Sequence, residues 1–325
     1  MNKKLIGYVA LFGAIALLPA LGAYPIFVMK VLCYALFACA FNLLIGFTGL
    51  LSFGHAAFLG TAAYSAGHAM KVWGLSAPLG LAVGTGAAAV VGLVFGLLAI
   101  RRSGIYFSMI TLALAQMLYF FFLQAPFTGG EDGLQSVPRA PFLGLDLTSD
   151  LTLYYVVLGV FIAAFWLIYR TVHSPFGQVL TSIRENEARA TSLGYDTARF
   201  KLLAFVLSAA LAGLAGATKT LVLGFATLTD AIWTTSGLVI LMTLVGGMGT
   251  LVGPMVGALV IIALENKIGD LGSLLANLTG IGWFNGLGES VSLVTGLIFI
   301  VCVLAFRRGL VGEAMALWEK RRPAR

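Results

Sequence analysis

The sequence predicts an all-α fold, a polytopic bundle of transmembrane helices, and three observations predict it. Apolar residues make up 60% of the 325 residues, with a mean hydropathy of +0.99, above the roughly 45–50% apolar content of soluble domains. Charged residues are only 10% of the chain. Apolar runs long enough to cross a hydrocarbon core, ~20 residues each, recur from one end to the other, more than a single soluble core can absorb. Backbone groups in lipid must be bonded within their own segment, so each run reads as a helix.

Taken in order, the apolar segments fall at about 5–24, 26–46, 52–70, 79–100, 105–123, 151–170, 202–223, 231–249, 251–266 and 289–306. The first follows Lys3 and Lys4 and resembles a signal peptide, but apolar segments continue throughout, so it is expected as an uncleaved first span. GFTGLLSFGH, Gly46 to His55, separates the second and third segments, and the eighth and ninth run through Gly246, Gly247, Gly249, Gly253, Pro254 and Gly257. Non-helical backbone at membrane depth is tolerated only where protein or a cavity covers it. Each stretch is therefore either two spans or a re-entrant pair of broken helices, and the count is ten spans, or eight. The whole chain, 1–325, reads as one transmembrane domain with a polar segment, about 171–201, inside it. Cys33, Cys39 and Cys302 lie in apolar stretches without metal-ligand spacing and read as small buried hydrophobes.

Charge orients the spans. With the N-terminus inside, Lys3, Lys4, Arg101, Arg102, Arg170, Arg184, Arg189, Arg199, Lys201, Arg307, Arg308, Lys320, Arg321, Arg322 and Arg325 fall on the cytoplasmic side. Only Lys30, Lys71, Arg139, Lys219 and Lys267 fall at or near the outer side. That excess satisfies the positive-inside rule and places both termini in the cytoplasm. The formal charge of +7 does not mark a nucleic-acid binder, because the cations sit at the ends of apolar runs. Lys219, near the outer end of its span, is expected to snorkel to the interface.

The segment SPFGQVLTSIRENEARATSLGYDTARFK, 174–201, is the longest polar stretch on the cytoplasmic side. Ser174–Pro175 is a helix start, since Ser caps free N–H groups and Pro is preorganised at the first helical position. Val179 and Ile183 share a face at i, i+4 with Leu180 beside them. Gly194 is a left-handed stop, and Asp196 or Thr197 starts the next span. A connection this long and this helical exceeds what joining two spans requires and reads as a docking surface for a soluble partner. The alternative is a solvated loop with surface ion pairs.

The two Gly-broken stretches occupy comparable positions in the two halves of the chain, the placement that points to a transport pathway. Asn42, Gly49, Gly54, His55, Gly246, Gly249 and Gly253 are the pathway candidates. The competing reading is close helix packing for the glycines, helix–helix hydrogen bonding for Asn42 and Gln116, and a bond to freed backbone for His55. On the outer side, FTGGEDGLQSVPRAPFLGLDLTSD, 127–150, is the longest clear external loop, and Gly129, Gly130, Glu131 and Asp132 are candidates for an outer gate or, equally, for a solvated turn. Calcium-loop spacing is absent from it, so no metal is expected.

No G-x-x-x-x-G-K-[ST] occurs, so the chain has no nucleotide cradle of its own. All thirteen carboxylates fall in loops or at span ends on these boundaries, whereas ion-coupled carriers place an ionisable group near the midplane. Glu265 and Glu289 are the ones that keep that rival class open.

The chain resembles the permease subunits of ABC importers for branched-chain amino acids, the LivM type, over nearly its whole length. The resemblance is carried in order by NLLIGFTGLLSFGHAAFLGTAAY (42–64), RRSGIYFSMITLALAQ (101–116), TGGEDGL (128–134), RENEARATSLG (184–194) with RFKLLAFVLSAALAGLAGA (199–217), and LVGGMGTLVGPMVGA (244–258). It implies that Arg184, Glu185, Asn186, Glu187, Ala188 and Gly194 belong to the helix that couples the permease to an ATPase. The match to the EAA loop of other ABC permeases is looser, with Arg189 where a second Ala is usual. The resemblance also implies a homologous second permease subunit, two ATPase subunits that hold the ATP and Mg2+ (no cofactor in this chain), an external binding protein, and residence in the bacterial cytoplasmic membrane. The substrate it implies is a branched-chain or related amino acid, with urea, short amides or aromatic acids as the alternatives.

Overall fold

The computed structural model describes residues 3–142, 144–279, 296–297, 300 and 309–313. The expected span at 289–306 lies mostly outside the described residues. The helices are α1 (Lys3–Leu17), α2 (Pro25–Thr48), α3 (His55–Lys71), α4 (Ala77–Ala99), α5 (Ile105–Gln124), α6 (Asp150–Val172), α7 (Pro175–Glu185), α8 (Glu187–Ser192), α9 (Thr197–Leu223), α10 (Trp233–Gly246) and α11 (Gly253–Thr279). No strand is formed among the described residues. Among the same residues five helices, α2, α4, α5, α6 and α9, are long and apolar enough to cross a membrane. The protein is an all-α, multi-pass membrane protein.

Helix α9 is the centre of the bundle and packs against α2, α3 and α4. Its LSAALAGLAGA stretch makes this possible, because small residues let helix backbones approach closely. A Cβ on Gly216 would lie 2.1 Å from the Leu59 carbonyl oxygen, and one on Gly213 would lie 2.3 Å from the Ala88 Cβ. Helix α2 continues the core on the other side of α9, packing against α6, α10 and α11. Around this core the outward faces of α4, α5 and α6 carry large exposed apolar side chains, among them Leu97, Leu98, Met109, Phe120 and Trp166, the opposite of a soluble protein's surface.

The α7–α8 segment and the loop before α6 stand at opposite ends of the bundle, because α6 and α9 each run from one to the other. At one end lie α7 and α8 with the exposed Arg101–Arg102 turn. At the other, the 125–149 loop is hydrogen-bonded to the segment after α9: Leu134 and Ala226 exchange N–H···O bonds of 2.8 and 2.9 Å, and Val137 N donates to Gly224 O. Lys71 Nζ donates to Gln135 O at this same end.

Helices α3 and α10 are short, 17 and 14 residues, or about 25 and 21 Å at 1.5 Å per residue. Lys71 places the end of α3 at the loop end, so its start, His55, lies deep in the bundle. Gly246 places the end of α10 at the α7–α8 end, so its start is deep as well. The two starts meet: Ala56 N donates to Ser236 Oγ at 2.9 Å. Residues 49–54 descend into the bundle from one end, and residues 224–232 from the other.

Candidate functional site

The α7–α8 segment is built from local capping. Ser174 Oγ accepts from Gly177 N and starts α7. Gly177, Leu180 and Ile183 are its buried residues, with Val179 only half-buried, so the buried face sits about one residue from the expected one. Asn186 breaks the helix with an extended backbone and caps α8 by accepting from Arg189 N at 2.9 Å. Gly194 follows with φ +88° and open space around it. Asp196 caps α9 through Arg199 N, which is why α9 begins five residues before the apolar run suggests.

The six residues assigned to coupling divide into two sets. Glu185, Asn186, Ala188 and Gly194 are exposed, next to Arg189 and to two large apolar side chains, Leu193 (71% exposed) and Tyr195 (42%). Arg184, exposed as well, and the half-buried Glu187 have partners inside the protein. Glu187 Oε1 accepts from Lys201 Nζ at 2.5 Å and from Thr197 Oγ1 at 3.4 Å, and the Lys201 side chain is buried. Arg184 Nη1 donates to Gly46 O in the last turn of α2.

That bond leads to the two Gly-rich stretches. Asn42 Nδ2 donates to Thr250 O at 2.8 Å, and its Oδ1 accepts from Gly249 N at 2.9 Å. Asn42 therefore ties α2 to the α10–α11 turn with both ends of its amide. A Cβ on Gly46 would lie 2.7 Å from Gly249 N, and one on Gly49 would lie 2.9 Å from Arg184 Cγ. Gly49 and Gly249 both have positive φ, +78° in each case. Gly246 and Gly253 serve packing between α10 and α11, since a Cβ on Gly246 would sit 1.9 Å from Gly253 O. A groove of about 640 Å³ opens beside this junction, lined in part by Tyr8, Phe47, His173, Gly249, Thr250 and Val252.

His55 and Gly54 lie apart from the junction, where α3 begins. Gly54 has an ordinary backbone, φ −101°, and its glycine is required by the Thr111 carbonyl, 2.2 Å from a Cβ. His55 is fully buried among Phe37, Phe41 and Phe58. Ser208 Oγ spends its proton on Ala40 O at 2.5 Å. His55 Nε2, 3.1 Å from the same oxygen, is then the donor, because a hydroxyl has one hydrogen. The sequence pointed to freed backbone as the partner; the partner found is the hydroxyl of α9.

At the loop end, Gly129 and Gly130 adopt φ of +80° and +61° in two tight helical turns, and Glu131 and Asp132 are exposed. The neighbouring Gly133 is pressed on the Ala226 carbonyl, 2.4 Å from a Cβ. Thr148 donates to Asp146 from its backbone N–H and its hydroxyl, at 3.0 and 2.7 Å, which holds that carboxyl below its ordinary range. Lys219 does not snorkel. Its Nζ donates to Asp230 Oδ1, and both side chains are buried, 6% and 2% exposed. Asp230 Oδ2 accepts in turn from Thr227 N, closing a capping box. Glu265 is likewise not at a span end: α11 runs twelve residues before it and continues to Thr279, and the side chain is half-buried.

Residues 25–306 match the family model for the permease component of branched-chain amino acid transport systems. The chain belongs to this family. It is 26% identical over 261 residues to the high-affinity branched-chain amino acid transport system permease protein LivM of Escherichia coli K12, covering 73% of this chain. The identity and coverage are the same for the LivM protein of Salmonella typhimurium LT2. The chain spans 61% of the length of each of these relatives. The ribose import permease protein RbsC of Bacillus subtilis 168 is 31% identical over 190 residues, 55% of this chain and 51% of its own.

Within this permease family member, the sequence pointed to the helices of the 174–201 segment and to both glycine turns but not to how they join. Ser208 and Ser236 carried no signal, because a serine inside an apolar run usually bonds its own helix. The Lys219–Asp230 pair left one trace: two opposite charges, eleven residues apart, flanking a span end.

Proposed function

We propose that the protein is the membrane-spanning subunit of an ATP-driven importer, forming half of a translocation pathway for branched-chain amino acids across the bacterial cytoplasmic membrane. The observation that carries this is the α7–α8 segment, in a chain whose family is transport permeases. It presents Glu185, Ala188, Arg189, Leu193 and Tyr195 outward at the end where the bundle's basic residues collect. Exposed Leu and Tyr beside charges suit a protein partner better than water, because such residues anchor interfaces. The partners are two ATPase subunits that supply ATP and Mg2+, a second homologous permease subunit, and an external binding protein. The α7–α8 end faces the cytoplasm and the 125–149 loop faces the binding protein, an orientation supported by the sorting of cations between the two ends.

The meeting of the α3 and α10 starts supports a pathway passing near mid-depth, since broken helices that present their N-terminal ends inside a bundle are a common construction of transport sites. His55 serves this construction from within the core rather than by lining a cavity.

The test combines sidedness with transport. Single cysteines at Ser182 and Gln135, in a background without Cys33, Cys39 and Cys302, are expected to label from opposite faces of the membrane. The assembled complex in proteoliposomes is expected to take up leucine, isoleucine or valine only with ATP on the α7–α8 side and binding protein on the other. Labelling from one face refutes the topology; absence of ATP-dependent uptake by the complete complex refutes the function.

A further inference from the structure

We propose that Arg184 is a positioning residue for transport: it ties the ATPase-coupling segment to the two glycine turns, which together form the cytoplasmic gate. The inference rests on the importer reading above and deepens it by naming the link between docking and pore.

Arg184, the next-to-last residue of α7, is exposed like Glu185 and Arg189, yet its side chain reaches across to another helix. Its guanidinium donates to the Gly46 carbonyl, and its stem lies over Gly49, whose missing side chain makes room for it. The same turn of α2 holds the α10–α11 turn through Asn42, which bonds Gly249 N and Thr250 O. One guanidinium, one amide and three glycines thus join three segments far apart in sequence. Nothing bulky separates them: a Cβ on Gly249 would lie 3.5 Å from Arg184 Nη1 and from Gly46 O alike.

Both turns use glycine at positive φ, where other residues are strained, so each is a tight, separately closed loop rather than a helix continuation. Two such loops bridged by hydrogen bonds can part or close with little change inside the helices that follow. The groove of about 640 Å³ beside Gly249 and Thr250 gives the second turn room to move. A push on α7 and α8 reaches Gly46 through Arg184, and reaches the α10–α11 turn through Asn42. The bond from Arg184 goes to a neutral carbonyl and not to a carboxylate, so it is of the strength that a conformational cycle can break and remake.

The experiment uses the complete complex in proteoliposomes and reads three quantities: ATPase co-purification with the permease, ATP hydrolysed, and substrate taken up per ATP. Arg184→Ala is expected to retain the ATPases and to lower uptake per ATP at least tenfold. Arg184→Lys, which keeps a donor long enough to approach the Gly46 carbonyl, is expected to restore a substantial part of it. Gly46→Ala, which pushes Asn42 and the α10–α11 turn away without altering Arg184, is expected to give the same uncoupling. Release of the ATPases by Arg184→Ala would make it a docking residue and overturn the proposal. Unchanged uptake per ATP in Arg184→Ala would overturn it too. If Arg184→Ala does not accumulate, Arg184→Lys and Gly46→Ala decide: normal coupling in both overturns the link. Failure of the parent complex to transport at all would instead sink the importer reading.

Discussion

The central helix is held at each end by a buried lysine, and the two attachments differ. Lys201, near the start of α9, pairs with Glu187 of α8, and Lys219, near its end, pairs with Asp230 in the segment leading to α10. The lysine side chains are equally covered, 5% and 6% exposed, but Glu187 is 44% exposed and Asp230 only 2%. Water can take over from Lys201 in solvating Glu187. It cannot do so for Asp230 without opening the structure. A pair whose carboxylate reaches water separates at lower cost than a fully buried pair, in which both charges lose their compensation. Of the two attachments, the one that fastens α8 is the weaker, and the one that fastens the 224–232 segment is the stronger.

The largest expected effect comes from breaking the buried attachment. Lys219→Met leaves the Asp230 carboxylate without its cation and should destabilise the protein by about 3–5 kcal/mol. The measurement is the thermal unfolding midpoint of the detergent-purified subunit together with its abundance in the membrane. The double substitution Lys219→Met with Asp230→Leu removes both charges and should recover most of the loss, because apolar replacement of a buried pair is often neutral or stabilising. A single variant as stable as the parent would show that water reaches this pair after all.

Much of the α7–α8 end was legible in the sequence, and the reason is that capping is local. Ser174, Gly194 and Asp196 act within a few residues of themselves, so their chemistry can be read from spacing. The long spans were legible because ~20 apolar residues leave few alternatives. The partnerships were not. Asn42 and Thr250 are 208 residues apart, and no periodicity brings them together. Lys219 was misplaced for a particular reason: snorkelling assumes a helix with a lipid face, and α9 is surrounded by α2, α3 and α4. Gly54 and Gly49 look alike in sequence, yet one serves packing against Thr111 and the other a left-handed turn beside Arg184. Only the tertiary arrangement separates those two uses of a missing side chain.

An intermediate effect is expected at the weaker attachment. Glu187→Lys sets two ammonium groups against each other where Lys201 is buried. Because position 187 opens to water, the new side chain can swing outward, and the stability loss should be about 1 kcal/mol rather than several. The functional loss should be larger than the stability loss, since α8 would leave the surface of α9 and displace Ala188 and Gly194 from the docking face. Membrane abundance near that of the parent, with ATPase co-purification and uptake both reduced, is the expected pattern. Severe loss of the folded subunit, as great as in Lys219→Met, would mean that the two ends are equally fixed and that exposure of the carboxylate does not distinguish them.

The smallest effect sharpens the same comparison from its exposed limit. Arg199 and Asp196 form a 2.7 Å ion pair on the first turn of α9, with side chains 84% and 51% exposed. This pair lies only two residues from Lys201 in sequence but entirely on the solvent side. Both of its charges are hydrated whether or not they touch, so Arg199→Ala should change stability by less than about 0.5 kcal/mol. Asp196 keeps its more important bond in the variant, because it caps α9 by accepting from the backbone N–H of residue 199 and not from the guanidinium. Uptake and ATPase co-purification should match the parent. If Arg199→Ala instead impairs coupling as strongly as Glu187→Lys, the exposed charge is itself a docking contact, and charge on this end of the permease matters through the partner surface rather than through its attachment to α9.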